Sequence, residues 1–184
     1  MALTAITVGA VDHLKPLSGV KSLKIWEQVS EGSDAVTFTI SGRSLTGADI
    51  PTGANAALIT FKKQSAKMAV NIAPEKGLSM VTATIEGYIP KIDRATLDAY
   101  QLLVGKALMG AVSTYESSEA YLLGWDGVLG STYDDSSTDR YYSDFALFLE
   151  SIEIDSGAAL GDESGATLKF TAVQGEVPYS FTEA

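Results

Sequence analysis

Apolar and polar residues alternate along the segment Leu78–Ile89, and no other pattern in the chain constrains the fold as strongly. A period of two residues is that of a β-strand with one face buried and the other in water. Small and apolar residues fall on one side, and polar residues with a tyrosine on the other: Val81, Ala83, Ile85, Gly87 and Ile89 against Thr82, Thr84, Glu86 and Tyr88. The segment is therefore predicted to be a strand that covers a core with one face.

The same period recurs along most of the chain, between clusters of glycine, proline and polar residues that are typical of turns. The further strands predicted in this way are Thr4–Val8, Val20–Val29, Val36–Ile40, Ala57–Lys63, Lys67–Ala73, Ala107–Tyr115, Ala120–Trp125, Phe145–Asp155 and Ala166–Val173. So many short strands predict a mainly β protein, folded as an antiparallel β-sandwich or open barrel.

One short stretch has the period of a helix instead. Leu97, Tyr100 and Val104 recur at the spacing of one helix face, and Asp93 stands where its carboxylate can accept hydrogen bonds from first-turn amides. Gly105 follows as a C-terminal stop. Because a helix of about ten residues is not stable alone in water, it is predicted to pack its apolar face on the sheet.

Length and composition favour one domain. The chain has 184 residues, of which 46% are apolar and 20% charged, and a single domain spanning 1–184 is predicted. Two connections, 41–56 and 127–144, are long for a compact domain, and such loops are often functional. We expect the first to reach a neighbouring subunit. Its candidate interface residues are Arg43, Leu45, Ile50 and Pro51.

Residues that carry most enzyme chemistry are scarce. The chain has no cysteine, and His13 is its only histidine, so nucleophile–histidine systems and the usual transition-metal sites lack their residues. The glycine-rich segment Gly157–Gly165 lacks the lysine of a phosphate-binding loop and contains Asp162 and Glu163, which would repel phosphate. We predict a protein that is not an enzyme and that uses no cofactor or metal.

The loop Asp134–Asp139 keeps one alternative open. Its oxygen-bearing side chains could hold Ca²⁺, although the glycine and the terminal glutamate of an EF-hand loop are missing from their positions. A monomeric, acidic β-sandwich that binds Ca²⁺ or carbohydrate is therefore an alternative function.

Charge is divided unevenly along the chain. Residues 1–106 carry 11 basic and 9 acidic side chains, whereas residues 107–184 carry 14 acidic ones and only Arg140 and Lys169 as bases. The formal net charge of −10 therefore comes from the second part. A negative surface repels anions, which suits either an ordinary acidic domain or a wall past which a polyanion must slide without binding.

A series of structural turns follows one order over nearly the whole chain. After a small-residue N-terminal strand come Ser18-Gly19-Val20-Lys21, then Gly87-Tyr88-Ile89-Pro90-Lys91-Ile92-Asp93 before the helix, then Tyr121-Leu122-Leu123-Gly124-Trp125, and last Ser156–Gly165 before the final strand. In this order of features the chain resembles the tail tube (major tail) proteins of tailed bacteriophages.

The resemblance implies a structural virion protein, a β-sandwich or barrel with one helix, assembled as hexameric rings that stack into a hollow tail tube. It also implies contacts with other tail or neck proteins, and DNA that passes through the bore without specific binding. Tail terminators, tail-completion proteins and ring proteins share this fold and remain alternatives. We expect localisation in the virion after synthesis in the host cytoplasm, because the N-terminus lacks a signal-peptide pattern. The sequence contains no run of about 18 apolar residues, so no membrane contact is predicted.

An acidic bore follows from the resemblance and the charge together. Tail tube bores are typically acidic, whereas a basic lining would bind DNA phosphates tightly. Because strands alternate their faces, only some of the acids can point inward. The candidate lining residues are Asp134, Asp135, Asp139, Glu150, Glu153 and Asp155.

Overall fold

The computed structural model describes residues 19–27, 39–41, 44–46, 56–75, 78–115, 119–124, 146–155, 164–174 and 177–182. These residues form eleven strands and one short helix. In chain order they are β1 (Val20–Glu27), β2 (Thr39–Ser41), β3 (Ser44–Thr46), β4 (Ala57–Thr60), β5 (Lys67–Glu75), β6 (Leu78–Pro90), α1 (Arg94–Gln101), β7 (Leu108–Thr114), β8 (Glu119–Leu123), β9 (Leu147–Asp155), β10 (Gly165–Gln174) and β11 (Tyr179–Thr182). The prediction of a mainly β protein with one short helix is confirmed.

The strands form one hydrogen-bonded network that folds into two layers. The first layer has the order β4-β1-β7-β8-β11-β3-β2, and the second has the order β5-β6-β10-β9. The pairs are antiparallel except for the parallel contact between β11 and β3. Leu108 of β7 pairs with Leu147 of β9, which joins the layers at one side while the network stays open.

The segment after β4 joins the layers at the other side. Its backbone amides reach both, because the amide of Phe61 donates to the carbonyl of Lys21 (3.1 Å) and that of Lys62 to the carbonyl of Tyr88 (2.9 Å). Val20 donates in turn to the carbonyl of Ala66 (3.1 Å). The backbone polar groups of this short connection are thus satisfied where the two layers meet.

The core lies between the layers and follows from the period of two. In β6 and β10 every second side chain is buried, and these side chains meet those of β1, β7 and β9. Among the largest fully buried ones are Phe170, Leu23, Ile25, Ile85, Leu108, Leu147 and Leu168. Burying side chains of this size contributes about 1.5–3 kcal/mol each, so the layer contact is the main source of stability.

The pairing of β6 with β10 sets this alternation. It runs in unbroken register from Gly165 opposite Pro90 to Gln174 opposite Val81. Gly87 lies on the buried face, where a Cβ atom would come within 2.5 Å of the Phe61 ring and 2.6 Å of the Ala66 Cβ. A side chain at this position would therefore separate the connection after β4 from the sheet.

The corner between the layers is tightly built. Gly124 follows β8 with φ +80°, and its amide donates to the buried side-chain oxygen of Gln174 at 3.3 Å. A Cβ atom at Gly124 would come within 2.6 Å of the carbonyl oxygen of Leu108 and 2.8 Å of the backbone nitrogen of Leu147. Only glycine therefore fits both the backbone conformation and the space.

The helix forms as predicted but packs differently. The Asp93 carboxylate accepts from the amide of Thr96 at 2.7 Å. Hydrogen bonds from the Thr96 side chain and then from this amide lower the pKa of the carboxyl. Tyr100 and Leu103 contact the core, and burial raises the pKa of Tyr100. Val104 is 60% exposed, so the prediction that it belongs to the packed face was wrong. The chain leaves helical geometry after α1, and this turns Val104 away from the sheet.

Two short strands were not predicted from the sequence. β3 lies inside the segment expected to be a loop, 41–56, and β11 lies beyond the last predicted strand. Both are too short for a period of two to be recognised, since β3 has 3 residues and β11 has 4. The predicted strand Thr4–Val8 and the loop 127–144 lie outside the described residues.

The corner glycine gives a prediction with a matched control. Gly124→Ala should lower the free energy of unfolding by about 2–5 kcal/mol, because it adds steric overlap to the strain of a positive φ. Gly105 has φ +78° and open space around its Cα, so Gly105→Ala should cost only the strain, about 1–2 kcal/mol. Urea unfolding followed by tryptophan fluorescence compares the two. Equal losses would show that the corner is not sterically restricted.

Candidate functional site

The outer face of the second layer carries the most organised set of polar side chains in the described residues. We define it as the surface of β5, β6, β10 and β9 that points away from the core. Its centre is rich in threonine, with Thr84 of β6 directly opposite Thr171 of β10. The other members on β6 and β10 are Thr82, Glu86, Tyr88, Thr167, Lys169 and Val173. Long strands keep this face regular.

A row of alternating charges crosses this face from edge to edge. Lys67 on β5 stands opposite Glu86 on β6, and its ammonium lies 3.2 Å from the carboxylate. Glu86 also stands opposite Lys169 on β10, and Lys169 donates to Glu150 on β9 at 2.7 Å. Opposite charges on neighbouring strands stabilise a sheet by about 0.2–1 kcal/mol per pair. We call Lys67, Glu86, Lys169 and Glu150 the charge row.

A β-bulge places the last member of the row. Between β9 and β10 the register shifts, so that Ser151 pairs with Lys169 while Leu149 pairs with the next residue, Phe170. Glu150 is the extra residue, and a bulge turns such a side chain out of the regular alternation. Its carboxylate accepts from Lys169 and also from the hydroxyl of Thr171.

These hydrogen bonds change the titration of the pair. The Lys169 ammonium and the Thr171 hydroxyl hold the pKa of the Glu150 carboxyl below its ordinary value, because both favour the charged form. Glu150 in turn raises the pKa of Lys169. Both groups are at the surface, where solvent screening keeps the energetic effect small.

The two edge strands of this layer differ in chemistry. Among the described strands β5 pairs only with β6, and the run Met68–Ala73 in it contains no charged residue. Val70 is 39% exposed and Ile72 is 56% exposed. An exposed apolar edge strand is a template for pairing with another chain. β5 is therefore suited to accept a further strand.

β9 forms the opposite edge. One of its sides pairs with β10, whereas on the other side only Leu147 has a strand partner among the described residues. The strand carries three acids and no base, in the sequence LFLESIEID. Phe148 is 39% exposed and Ile154 is 64% exposed. β9 is thus an acidic edge with apolar side chains at both ends.

The structure brings three of the six candidate bore residues together. Glu150, Glu153 and Asp155 are exposed and lie along β9, and register places Glu153 on the outer face opposite Thr167. Asp134, Asp135 and Asp139 lie outside the described residues. The lining of a bore by the described acids stays a prediction.

Only one of the four candidate interface residues belongs to the described part of the chain. Leu45 lies in β3 and pairs with Ile40 of β2. Arg43, Ile50 and Pro51 lie outside the described residues. Their role in a subunit contact therefore also stays a prediction.

Sequence reasoning missed the basic members of the charge row. Lys67 and Lys169 lie on the polar side of their strands, and this was the available signal. The sequence does not show the strand register. This register brings Lys169 to Glu150, 19 residues away, and sets it opposite Glu86 on β6.

A groove of about 230 Å³ opens between the layers beside β5. Its lining is mainly apolar, with Met68, Val70, Tyr121 and Pro178, and the lining residues include no carboxylate and no histidine. Lys67 and Tyr121 are the ionisable residues of this lining.

The described residues contain no group of three or more side chains suited to hold a metal ion. They also contain no helix long and apolar enough to cross a membrane. Comparison with protein-family models, curated proteins and solved structures finds no match to the chain.

The hydrogen bonds of Glu150 give a testable pH dependence. Lys169→Met should raise the pKa of the Glu150 carboxyl toward the ordinary value of about 4.3, because the main partner of the charged form is lost. Thr171→Val should raise it less. A lowered pKa adds stability above that ordinary value, and this stability is lost as pH falls through the folded-state pKa.

Carboxyl carbon NMR across an acid titration measures these shifts directly. The outcome that contradicts the geometry is a Glu150 pKa that neither substitution changes.

Proposed function

We propose that this protein is a structural subunit that assembles head to tail into closed rings, and that the rings stack as a tube of the bacteriophage tail type. The second layer forms the wall of the bore in this proposal, and its outer face meets the passing DNA. The ring size of six comes from the resemblance of the sequence to tail tube proteins.

One observation carries the proposal: a four-stranded antiparallel sheet with a partner-free side along β5 and along most of β9, as far as the described strands go. Unpaired backbone groups in a row are satisfied when a second chain adds a strand. A copy that offers two such edges can bind a neighbour on each side. The result is a chain of copies, which closes into a ring when the rotation per copy divides a full turn.

The even number of strands makes this repeat regular. In an antiparallel sheet of four strands the two edge strands run in opposite directions. When β9 of one copy meets β5 of the next copy in the same orientation, the new pair is therefore also antiparallel. The sheet continues around the ring without a change of pattern.

The outer face has the chemistry of a surface that DNA can pass. Its two lysines are balanced within the charge row by Glu86 and Glu150, and Glu153 and Asp155 add negative charge. A phosphate backbone binds to uncompensated lysine and arginine and releases counterions as it does so. This face has threonines, lysines that are paired with glutamates, and additional acids. It therefore offers few groups that bind DNA phosphates.

Assembly is the first test, by light scattering on a sizing column and negative-stain microscopy. The unmodified protein should form rings or tubes as its concentration rises. Ile72→Lys should stay folded but fail to assemble, because it adds a charge where a neighbouring strand would cover β5. Leu102→Lys is the matched control, since Leu102 is 72% exposed on the turn after α1. A monomer at all concentrations, alone and with other virion proteins, would argue against the proposal.

Cysteine labelling tests which face lines the bore. The chain has no cysteine of its own, so Thr84→Cys and Leu102→Cys each add a single thiol. In assembled tubes a small maleimide should label both positions, whereas a maleimide on a protein wider than the bore should label only the second. Equal labelling by the wide reagent would place the second layer on the outside of the tube.

A further inference from the structure

The two edges of the second layer carry opposite charge at the same end. β9 has Glu150, Glu153 and Asp155 from its fourth residue onward and no base. On the β5 side, Lys67 begins the strand, and the exposed Lys63 stands in the turn before it. The apolar part of β5 lies further along the strand. The positions of the acids and of the lysines along the strand direction decide whether they can meet in neighbouring copies.

The strand register gives these positions. Glu153 pairs with Thr167, and Thr167 pairs with Tyr88. Tyr88 lies level with Ser65, since its amide donates to the Ser65 hydroxyl oxygen at 3.3 Å. Glu153 on one edge is therefore level with Ser65 on the other.

Lys67 lies next to that level on the same face. It stands two residues after Ser65 and begins the next row, whereas Lys63 lies in the turn closed by the hydrogen bond from the Ser65 amide to the Lys62 carbonyl (3.0 Å). A side chain that stands opposite Ser65 of another copy lies diagonal to Lys67. Diagonal neighbours on adjacent strands are about 7–8 Å apart at Cα, which long charged side chains can bridge.

Resting on the proposed head-to-tail assembly, we propose that Glu153 of one copy pairs with Lys67 of the next, and that this contact selects which edges meet and in which register. The partner is a second copy of this chain. The charge row then continues from copy to copy, with the acids of β9 beside the basic end of the neighbouring β5. A stagger of two residues, of the kind that strand tilt requires in a closed ring, sets Glu153 directly opposite Lys67.

Charge also opposes the competing contacts. Two β9 edges brought together would place three acids of each copy against three of the other, and like charges across strands destabilise a pair. A two-fold contact between two β5 strands has no such acidic clash. It buries the apolar run of both copies and produces a dimer instead of a ring, so the size of the assembly distinguishes it.

Charge reversal tests the pair. Lys67→Glu alone and Glu153→Lys alone should each raise the concentration needed for assembly about tenfold, as attraction becomes repulsion at every contact. The double variant Lys67→Glu/Glu153→Lys should recover most of this loss, because the contact between copies is restored while the new carboxylate at position 67 faces Glu86 within its own copy. A mixture of the two single variants should also assemble, because alternating copies restore both kinds of contact. Lys21→Glu, an exposed lysine on β1, controls for the change in net charge.

Circular dichroism and thermal melting check that each variant is folded. Single variants that assemble normally, or a double variant and a mixture that do not recover, would overturn the Glu153–Lys67 contact. If the unmodified protein forms rings in those cases, the proposed function stands and only the contact is lost. If the unmodified protein forms only β5-linked dimers or stays a monomer, the proposed function itself fails.

Discussion

The antiparallel pairing of β6 with β10 is the interaction on which the rest of the structure depends. Its unbroken register turns one alternating sequence into two surfaces, a buried one around Phe170 and Ile85 and a polar one around Thr84 and Thr171. A slip by one residue would exchange the two surfaces and bury the polar side chains. The same hydrogen bonds therefore hold the core together and keep the charge row on the outside.

The joints between the layers restrict this arrangement further. At one side the layers meet through the pairing of Leu108 with Leu147, beside a glycine that no other residue can replace without overlap. At the other side a few backbone hydrogen bonds connect the segment after β4 to both layers. Between these joints the edges of β5 and β9 are left without a strand partner in the described part of the chain. The open edges thus result from joining the layers through so few residues.

Much of the fold could be predicted because its strands are long and have two chemically different faces. The alternation along Leu78–Ile89 and the cap at Asp93 were readable in this way. β5 shows the limit: its apolar residues were recognised as one face, but Ile72 is exposed because the facing layer does not cover it. The acids of β9 could be predicted as a group. Their partner Lys169 could not, because a cross-strand pair depends on a bulge and a register that single-strand periodicity does not encode.

The uncharged run Met68–Ala73 on β5 has a consequence for the free subunit in solution. An apolar strand edge that can accept a neighbour can also accept the wrong one, and this makes a concentrated solution of single copies prone to precipitate. The net charge of −10 opposes that outcome by repulsion between whole molecules over a Debye length of about 8–10 Å. Colloidal solubility of the unassembled chain therefore depends on ionic strength, and added salt shortens the range over which copies are kept apart.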